Sequence, residues 1–383
     1  MNVEALLEHE IKTPCYVVDE SALIKNLEIL KDVQEKSGAK ILLALKGFAM
    51  WHFFPLIGRY LSGTAASGLF EARLGAEEMG LEVHSYSPAF KDSEFPEILK
   101  YSHHVVFNSP AQWRHFQKQA LGSKGKHFGI RVNPEHSEVK TAIYDPCAPG
   151  SRLGTIEADF DLSESDWQGL SGLHFHNLCE LGADALERTL KTVEKKFNKH
   201  FHRLSWINFG GGHHITRADY DREALIQLIR NFKSRYHLEV YLEPGEAIAL
   251  NTGVLVTTVL DTLHNHMPLA IMDASAAAHM PDVIEMPYRP EIFGAGKPEE
   301  KQHNYRLGGP SCLAGDVIGD YSFDKPLVPG AKLAFGDMAH YSMVKNNTFN
   351  GIPLPSIYGY NSDKNKLWLV KEFSYDDFKA RLS

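Results

Sequence analysis

Between residues 40 and 242, eight short apolar runs alternate with amphipathic stretches, a pattern that few folds accommodate. The runs cover 40–45, 63–66, 82–86, 104–107, 127–132, 172–175, 204–209 and 238–242. Short runs with few polar breaks read as strands buried on both faces, the habit of parallel sheets. Helical stretches at 50–61, 69–79, 110–120, 183–197 and 217–236 separate most of them. A helix with apolar residues at Leu23, Leu27, Leu30 and Val33, capped by Ser21 or Asp19, comes before the first run. Strands alternating with helices in this way predict an α/β chain folded as a (β/α)8 barrel. The connection 133–169 is anomalously long and rich in Pro, Gly and Asp, so it is either functional or a surface excursion.

Past Glu243 the rhythm changes. Short Val/Thr/Leu runs such as 253–260 and 268–272 are separated by Pro and Gly turns, and no long helical pattern appears before the last residues. This predicts a second, mostly β domain, to which a short strand near Tyr16 can add. The expected boundaries are 21–247 for the barrel and 1–20 plus 248–383 for the β domain. A length of 383 residues suits two domains.

Composition excludes several function classes. The chain carries 40 basic and 48 acidic side chains, a net charge of −8, which argues against nucleic acid or an anionic membrane as main partner. A small cationic ligand is compatible with it. The N-terminus lacks the basic and apolar regions of a signal peptide, and no apolar run approaches the roughly 18 residues of a membrane span, so a cytoplasmic location is expected. Cys15, Cys147, Cys179 and Cys312 are far apart and read as free thiols of a reducing compartment. His174 with His176, and His213 with His214, form no complete ligand set, and no metal is expected.

The unusual polar residues fall at the strand ends. Lys46 closes the first run, with Gly47 turning the chain away. His176 closes the sixth, Gly210, Gly211 and Gly212 follow the seventh, and Glu243 ends the eighth. In a barrel all of these lie at the C-terminal mouth, where such enzymes keep their sites. Taken singly each has a plain explanation: a snorkelling lysine, a core histidine, a flexible turn, a salt bridge. Together they describe a pyridoxal 5'-phosphate site. Lys46, its pKa lowered by burial, forms a Schiff base with the aldehyde. The glycine amides approach the phosphate, His176 stacks on the ring, and Glu243 keeps the ring nitrogen protonated.

Motifs along nearly the whole chain carry a resemblance. LALKG around Lys46, GLHFHN around His176, NFGGG at 208–212 and EPGE at 243–246 are followed by GGPSCLAGD at 308–316 and GDMAHYSMVKNNTFNG at 336–351. In that order they resemble the pyridoxal phosphate-dependent basic amino-acid decarboxylases with an alanine-racemase-type barrel. The resemblance implies a carboxy-lyase acting as a homodimer. It implies that Cys312 is presented to the partner's site, that Tyr341 meets the cofactor phosphate, and that Asp316 and Phe349 hold lesser site or interface positions.

The departures narrow the substrate. Leu313 follows Cys312 where ornithine and diaminopimelate enzymes carry an acidic residue, Glu246 replaces the arginine of an EPGR motif, and a serine expected after His176 is absent from 177–180. These features resemble the carboxynorspermidine and carboxyspermidine branch. That branch implies decarboxylation of a small cationic carboxylated polyamine to norspermidine or spermidine in polyamine biosynthesis. Glu246, Asp273 and Glu285 are then candidate partners for substrate amines and Arg289 for a carboxylate, with solvated surface charge as the plain alternative. Rival readings are a diaminopimelate or other basic amino-acid decarboxylase, an amino-acid racemase of the same fold, and a catalytically inactive homologue.

Overall fold

The computed structural model describes residues 1–383, all of the chain. The chain divides into two compact units, Met1–Lys25 with Ala249–Ser383, and Asn26–Ile248. Strands are numbered in chain order. After β1 (Cys15–Asp19) come β2 (Lys40–Ala44), β3 (Gly63–Ala66), β4 (Glu82–Tyr86), β5 (His104–Phe107), β6 (His127–Arg131), β7 (Leu170–His174), β8 (Trp206–Asn208) and β9 (Glu239–Leu242). Strands β2 to β9 form a closed barrel in which each pairs in parallel with the next, and Lys40 and Ile41 meet Tyr241 and Leu242 to close the ring. The eight apolar runs and the eight barrel strands coincide, with ends displaced by at most two residues.

The helices obey their local signals. Ala183–Phe197 buries Ala183, Leu186, Leu190, Val193 and Phe197, one stripe at helical spacing. The stretch expected as helix over 217–236 begins later, as Arg222–Tyr236, because the Asp221 carboxylate accepts the Ala224 N–H (2.9 Å) and sets the first turn there. The stretch 50–61 is only a 3-10 turn, Trp51–Phe53, and one short helix, Phe54–Ile57, since Pro55 has no N–H to extend a helix through it. Over 69–79 the helix Leu69–Leu74 gives way to a π turn at Gly75–Met79. Of the two candidate caps at the first helix, Glu20–Ser37, Asp19 is the one used, accepting the Ser21 N–H at 3.1 Å.

The barrel interior is partly polar. Trp206 fills its centre because β6 and β7 carry glycine there; a Cβ on Gly172 or Gly129 would lie 1.9 or 2.7 Å from the indole. Below Trp206 the rings of His84 and His104 stack with centroids 3.8 Å apart, and His127 stacks on His104 at 4.7 Å. Burial, then the nearby His84 and His127, pushes the His104 imidazole down to about 2. An unfolded histidine takes up its proton near 6.5. Below that pH the unfolded chain binds more protons, so stability is lost as pH falls. The free energy of urea unfolding is expected to drop by about 1 kcal/mol per pH unit between roughly pH 6 and 4 for this group, and His104→Gln to flatten that slope. A slope indifferent to the substitution would acquit the stacked histidines.

The other unit is a sheet in the order β13-β12-β11-β10-β1-β15-β16, with β14 also paired to β10. Its strands are β10 (Gly253–Asn265), β11 (Met267–Met272), β12 (His303–Gly308), β13 (Val317–Phe323), β14 (Lys332–Gly336), β15 (Ser356–Asn361) and β16 (Lys366–Lys371). Strand β1 joins it, antiparallel to β10 and parallel to β15. Cys15, Val17, Val254, Val256, Ala334 and Tyr360 form its core. No helix of the chain is long and apolar enough to cross a membrane.

Candidate active site

The C-terminal ends of the barrel strands enclose a cavity of about 230 Å³, lined among others by Ala44, Lys46, Tyr86, Arg131, His174, His176 and Glu243. Lys46 lies two residues beyond β2, on a turn in which Gly47 N–H and Phe48 N–H both point back to the Ala44 carbonyl. Its side chain is open to the cavity yet surrounded by protein. Burial, then the Arg131 guanidinium, lowers its pKa against the pull of Glu243 and Glu71. A larger share of uncharged amine is therefore present at neutral pH than on a surface lysine.

Glu243 follows β9 directly. Asn208, the last residue of β8, donates its amide N–H to Oε1 at 2.6 Å, and His174, the last of β7, lies with Nε2 3.2 Å from Oε2. Burial alone raises a carboxyl pKa, but the donors on its two oxygens, His174 and Asn208, outweigh it and hold Glu243 below the usual carboxylate range. The group is an ionised carboxylate inside the barrel mouth.

His176 is neutral, since burial and then Lys46 and Arg131 hold its pKa well below the usual value. Its Nδ1 accepts the Gly211 N–H at 3.1 Å, and its carbonyl accepts a bond from Arg131 at 2.9 Å. The triple glycine runs close against neighbouring strand ends. A Cβ on Gly210, Gly211 or Gly212 would lie 2.4, 2.3 or 1.9 Å from the carbonyl oxygens of Phe175, Glu243 and Leu178. Gly210 and Gly212 also have φ of +73° and +80°, a left-handed backbone that side chains disfavour.

The long connection reaches the cavity, where Arg152 and Leu153 are among the lining residues. Asn108 anchors them, donating to the Arg152 carbonyl at 2.9 Å and accepting the Gly154 N–H at 2.7 Å. Asn208, Arg131, Tyr86 and Arg152 were not singled out from sequence, and His174 was weighed there only as part of an incomplete metal-ligand set. His174 and Asn208 were in view as letters of the GLHFHN and NFGGG motifs, without a function of their own. Arg131, Tyr86 and Arg152 carried no such signal.

The remaining candidates have local partners. Glu246 lies 3.0 Å from His214 Nε2. Asp273 has both oxygens engaged, by the hydroxyls of Thr13 (2.6 Å) and Thr257 (2.5 Å) and the Thr258 N–H (2.9 Å). Glu285 and Asp282 both pair with Lys345. The Arg289 guanidinium sits 4.8 Å over the Tyr321 ring. Cys312 is exposed, and its N–H donates to Asn350 at 2.9 Å. Buried Asp316 ties down the loop bearing it, accepting from the Ser275 hydroxyl (2.9 Å) and the N–H groups of Ala277 and Ser311 (3.2 Å each). Tyr341, with φ 44° and ψ −60°, sits in a strained γ-turn closed by Ser342 N–H onto the His340 carbonyl. Phe349 is exposed.

Comparison with known proteins agrees with this geometry. A family model described as pyridoxal-dependent decarboxylase, C-terminal sheet domain, matches residues 15–339. The chain belongs to the pyridoxal-dependent decarboxylases. The carboxynorspermidine/carboxyspermidine decarboxylase of Campylobacter jejuni is 47% identical over 383 residues, 97% of this chain and 99% of that protein. The carboxyaminopropylagmatine decarboxylase of a Synechocystis species is 44% identical over 374 residues, 97% of this chain and 96% of that protein. A crystal structure of the Campylobacter jejuni carboxynorspermidine decarboxylase complexed with norspermidine superposes with a TM-score of 0.89 at 46% identity, covering 97% of this chain and all of that one.

The cofactor of this decarboxylase family is pyridoxal phosphate, and the cavity fits it. It offers an amine of lowered pKa, an ionised carboxylate at the barrel mouth and a flat neutral imidazole, and the imidazole is backed by a glycine loop so closely packed that no side chain fits there. When bound, the cofactor supplies an electron sink for the carbon that loses CO2.

Proposed function

We propose that this decarboxylase removes CO2 from a linear carboxylated polyamine, carboxynorspermidine or carboxyspermidine, releasing norspermidine or spermidine in polyamine biosynthesis. The observation that carries this reading is the 47% identity to the Campylobacter jejuni enzyme across almost the whole of both chains. At that level the substrate pocket is expected to be shared, as the departures at Leu313 and Glu246 from the ornithine and diaminopimelate pattern already imply.

In this reading Lys46 holds the cofactor aldehyde and His176 packs against its ring. Gly210, Gly211 and Gly212 receive its phosphate with Tyr341, and Glu243 is the anion for its protonated ring nitrogen. Arg131 supports the site twice, by lowering the Lys46 pKa and by bonding the His176 carbonyl. Cys312 serves the cavity of a second copy, so the working form is a homodimer. Its exposure and the Asp316-braced loop that carries it support that assignment. A cytoplasmic location completes the proposal.

The test is a CO2-release panel of carboxynorspermidine, carboxyspermidine, carboxyaminopropylagmatine, diaminopimelate, ornithine, arginine and lysine. The first two are expected to exceed the last four in kcat/KM by about 100-fold or more, because a site built to bond substrate amines rejects analogues lacking them. Preference for any of the last four would overturn the polyamine assignment. Preference for carboxyaminopropylagmatine, whose tail ends in a guanidinium, would move the assignment to the activity named for the Synechocystis relative.

A further inference from the structure

His174 has no part in the reaction as described so far, yet it is the most thoroughly buried titratable group facing the cavity, 1% exposed. Glu243 receives one donor on each oxygen, the Asn208 amide on Oε1 and the His174 ring on Oε2. Asn208 is itself immobilised, since its Oδ1 accepts the Gly210 N–H at 2.8 Å, and it cannot turn to serve the second oxygen. We propose that His174 is a positioning residue for the reaction: its Nε2–H and the Asn208 amide clamp the two oxygens of Glu243 and present the charged carboxylate to the cofactor ring. The inference rests on the role of Glu243 proposed above.

The ring nitrogens identify the tautomer. Nδ1 of His174 is buried and has no hydrogen-bond partner. A carboxylate only accepts, so the nitrogen beside Glu243 must carry the hydrogen and Nδ1 is bare. A histidine there for packing alone has no reason to leave a nitrogen orphaned, which a phenylalanine would avoid. The charge state follows from the surroundings. Burial lowers the His174 pKa, Lys46 and Arg131 add to the lowering, and Glu243 opposes it. The Tyr86 ring lies 5.5 Å away and the neutral His176 ring 6.4 Å away. His84, in the barrel interior, is also pushed down by burial. His174 is therefore a neutral donor, and it gives Glu243 a hydrogen bond without consuming its charge. Without that donor, Oε2 loses its hydrogen bond from His174, and the carboxyl takes up a proton more readily.

Two variants separate donor from shape. His174→Phe keeps a flat ring and removes the N–H; His174→Asn keeps an N–H and shortens the side chain. His174→Phe is expected to lower kcat at neutral pH about tenfold with KM within about twofold, the size of losing a charge-assisted bond to another residue. It is also expected to raise, by one pH unit or more, the pH at which kcat and the absorbance of bound cofactor change on the acid side. His174→Asn is expected to recover at least half of that shift. An acid limb and spectrum unmoved in His174→Phe overturn the proposal, as does a His174→Asn protein as impaired as the phenylalanine variant. If the phenylalanine variant does not fold, 15N spectra of histidine-labelled wild-type protein decide. The signal missing from His174→Asn must report an Nε2–H, bare-Nδ1 ring at pH 7, and a cationic or Nδ1–H ring refutes the clamp. That spectrum does not depend on turnover. An inert Glu243→Gln substitution would instead sink the role of Glu243.

Discussion

Lys46→Ala is expected to lower kcat by about four powers of ten and to remove the visible absorbance of covalently held cofactor. Lys46 is the one lysine lining the cavity. Burial and Arg131 raise its share of free amine, and no neighbouring group can form the same bond to an aldehyde carbon. The strand that delivers it, β2, is held by backbone pairing and by buried Ile41, Leu42 and Leu43, so the fold is expected to survive with a stability change within about 1 kcal/mol. Stopped-assay CO2 release and an absorbance scan of the purified variant are the measurements. Turnover within tenfold of wild type would remove Lys46 from the mechanism.

Glu243→Gln is expected to cost about two powers of ten in kcat with KM little changed, comparable to losing one preorganised electrostatic contact. The side chains are nearly the same size, so the substitution removes charge while keeping shape. The loss is felt because Glu243 is largely enclosed by protein, with Asn208 and His174 as the hydrogen-bond partners of its two oxygens. With its pKa held below the usual carboxylate range, the wild-type carboxylate stays ionised throughout the neutral range. A rate within threefold of wild type would exclude Glu243 from electron withdrawal.

How much of this was legible beforehand depends on range. Lys46, His176, Gly210–Gly212 and Glu243 were found because a barrel brings the ends of its strands to one mouth, whatever lies between them. His174 was weighed only as an incomplete metal ligand, because it lies on a strand rather than past one, two residues before His176, where sequence offers no way to tell a core histidine from a site histidine. Asn208 was hidden in the same way, next to the glycines it orients. Asp273, Glu285 and Arg289 looked like free charges in sequence. Their threonine, lysine and tyrosine neighbours come from distant segments, such as Thr13 for Asp273, and no local pattern reveals them.

The sequence by itself determined the barrel, the β character of the remainder and which polar residues and glycines end the barrel strands, because period, strand length and glycine placement are local properties of the chain. The tertiary structure decided what those residues are at neutral pH. That the Lys46 pKa is lowered, His176 neutral and Glu243 ionised follows from burial and from groups facing one another across strands β2, β6, β7 and β9. A pKa belongs to the surroundings of a group, and surroundings assembled from residues far apart in the chain exist only once it has folded.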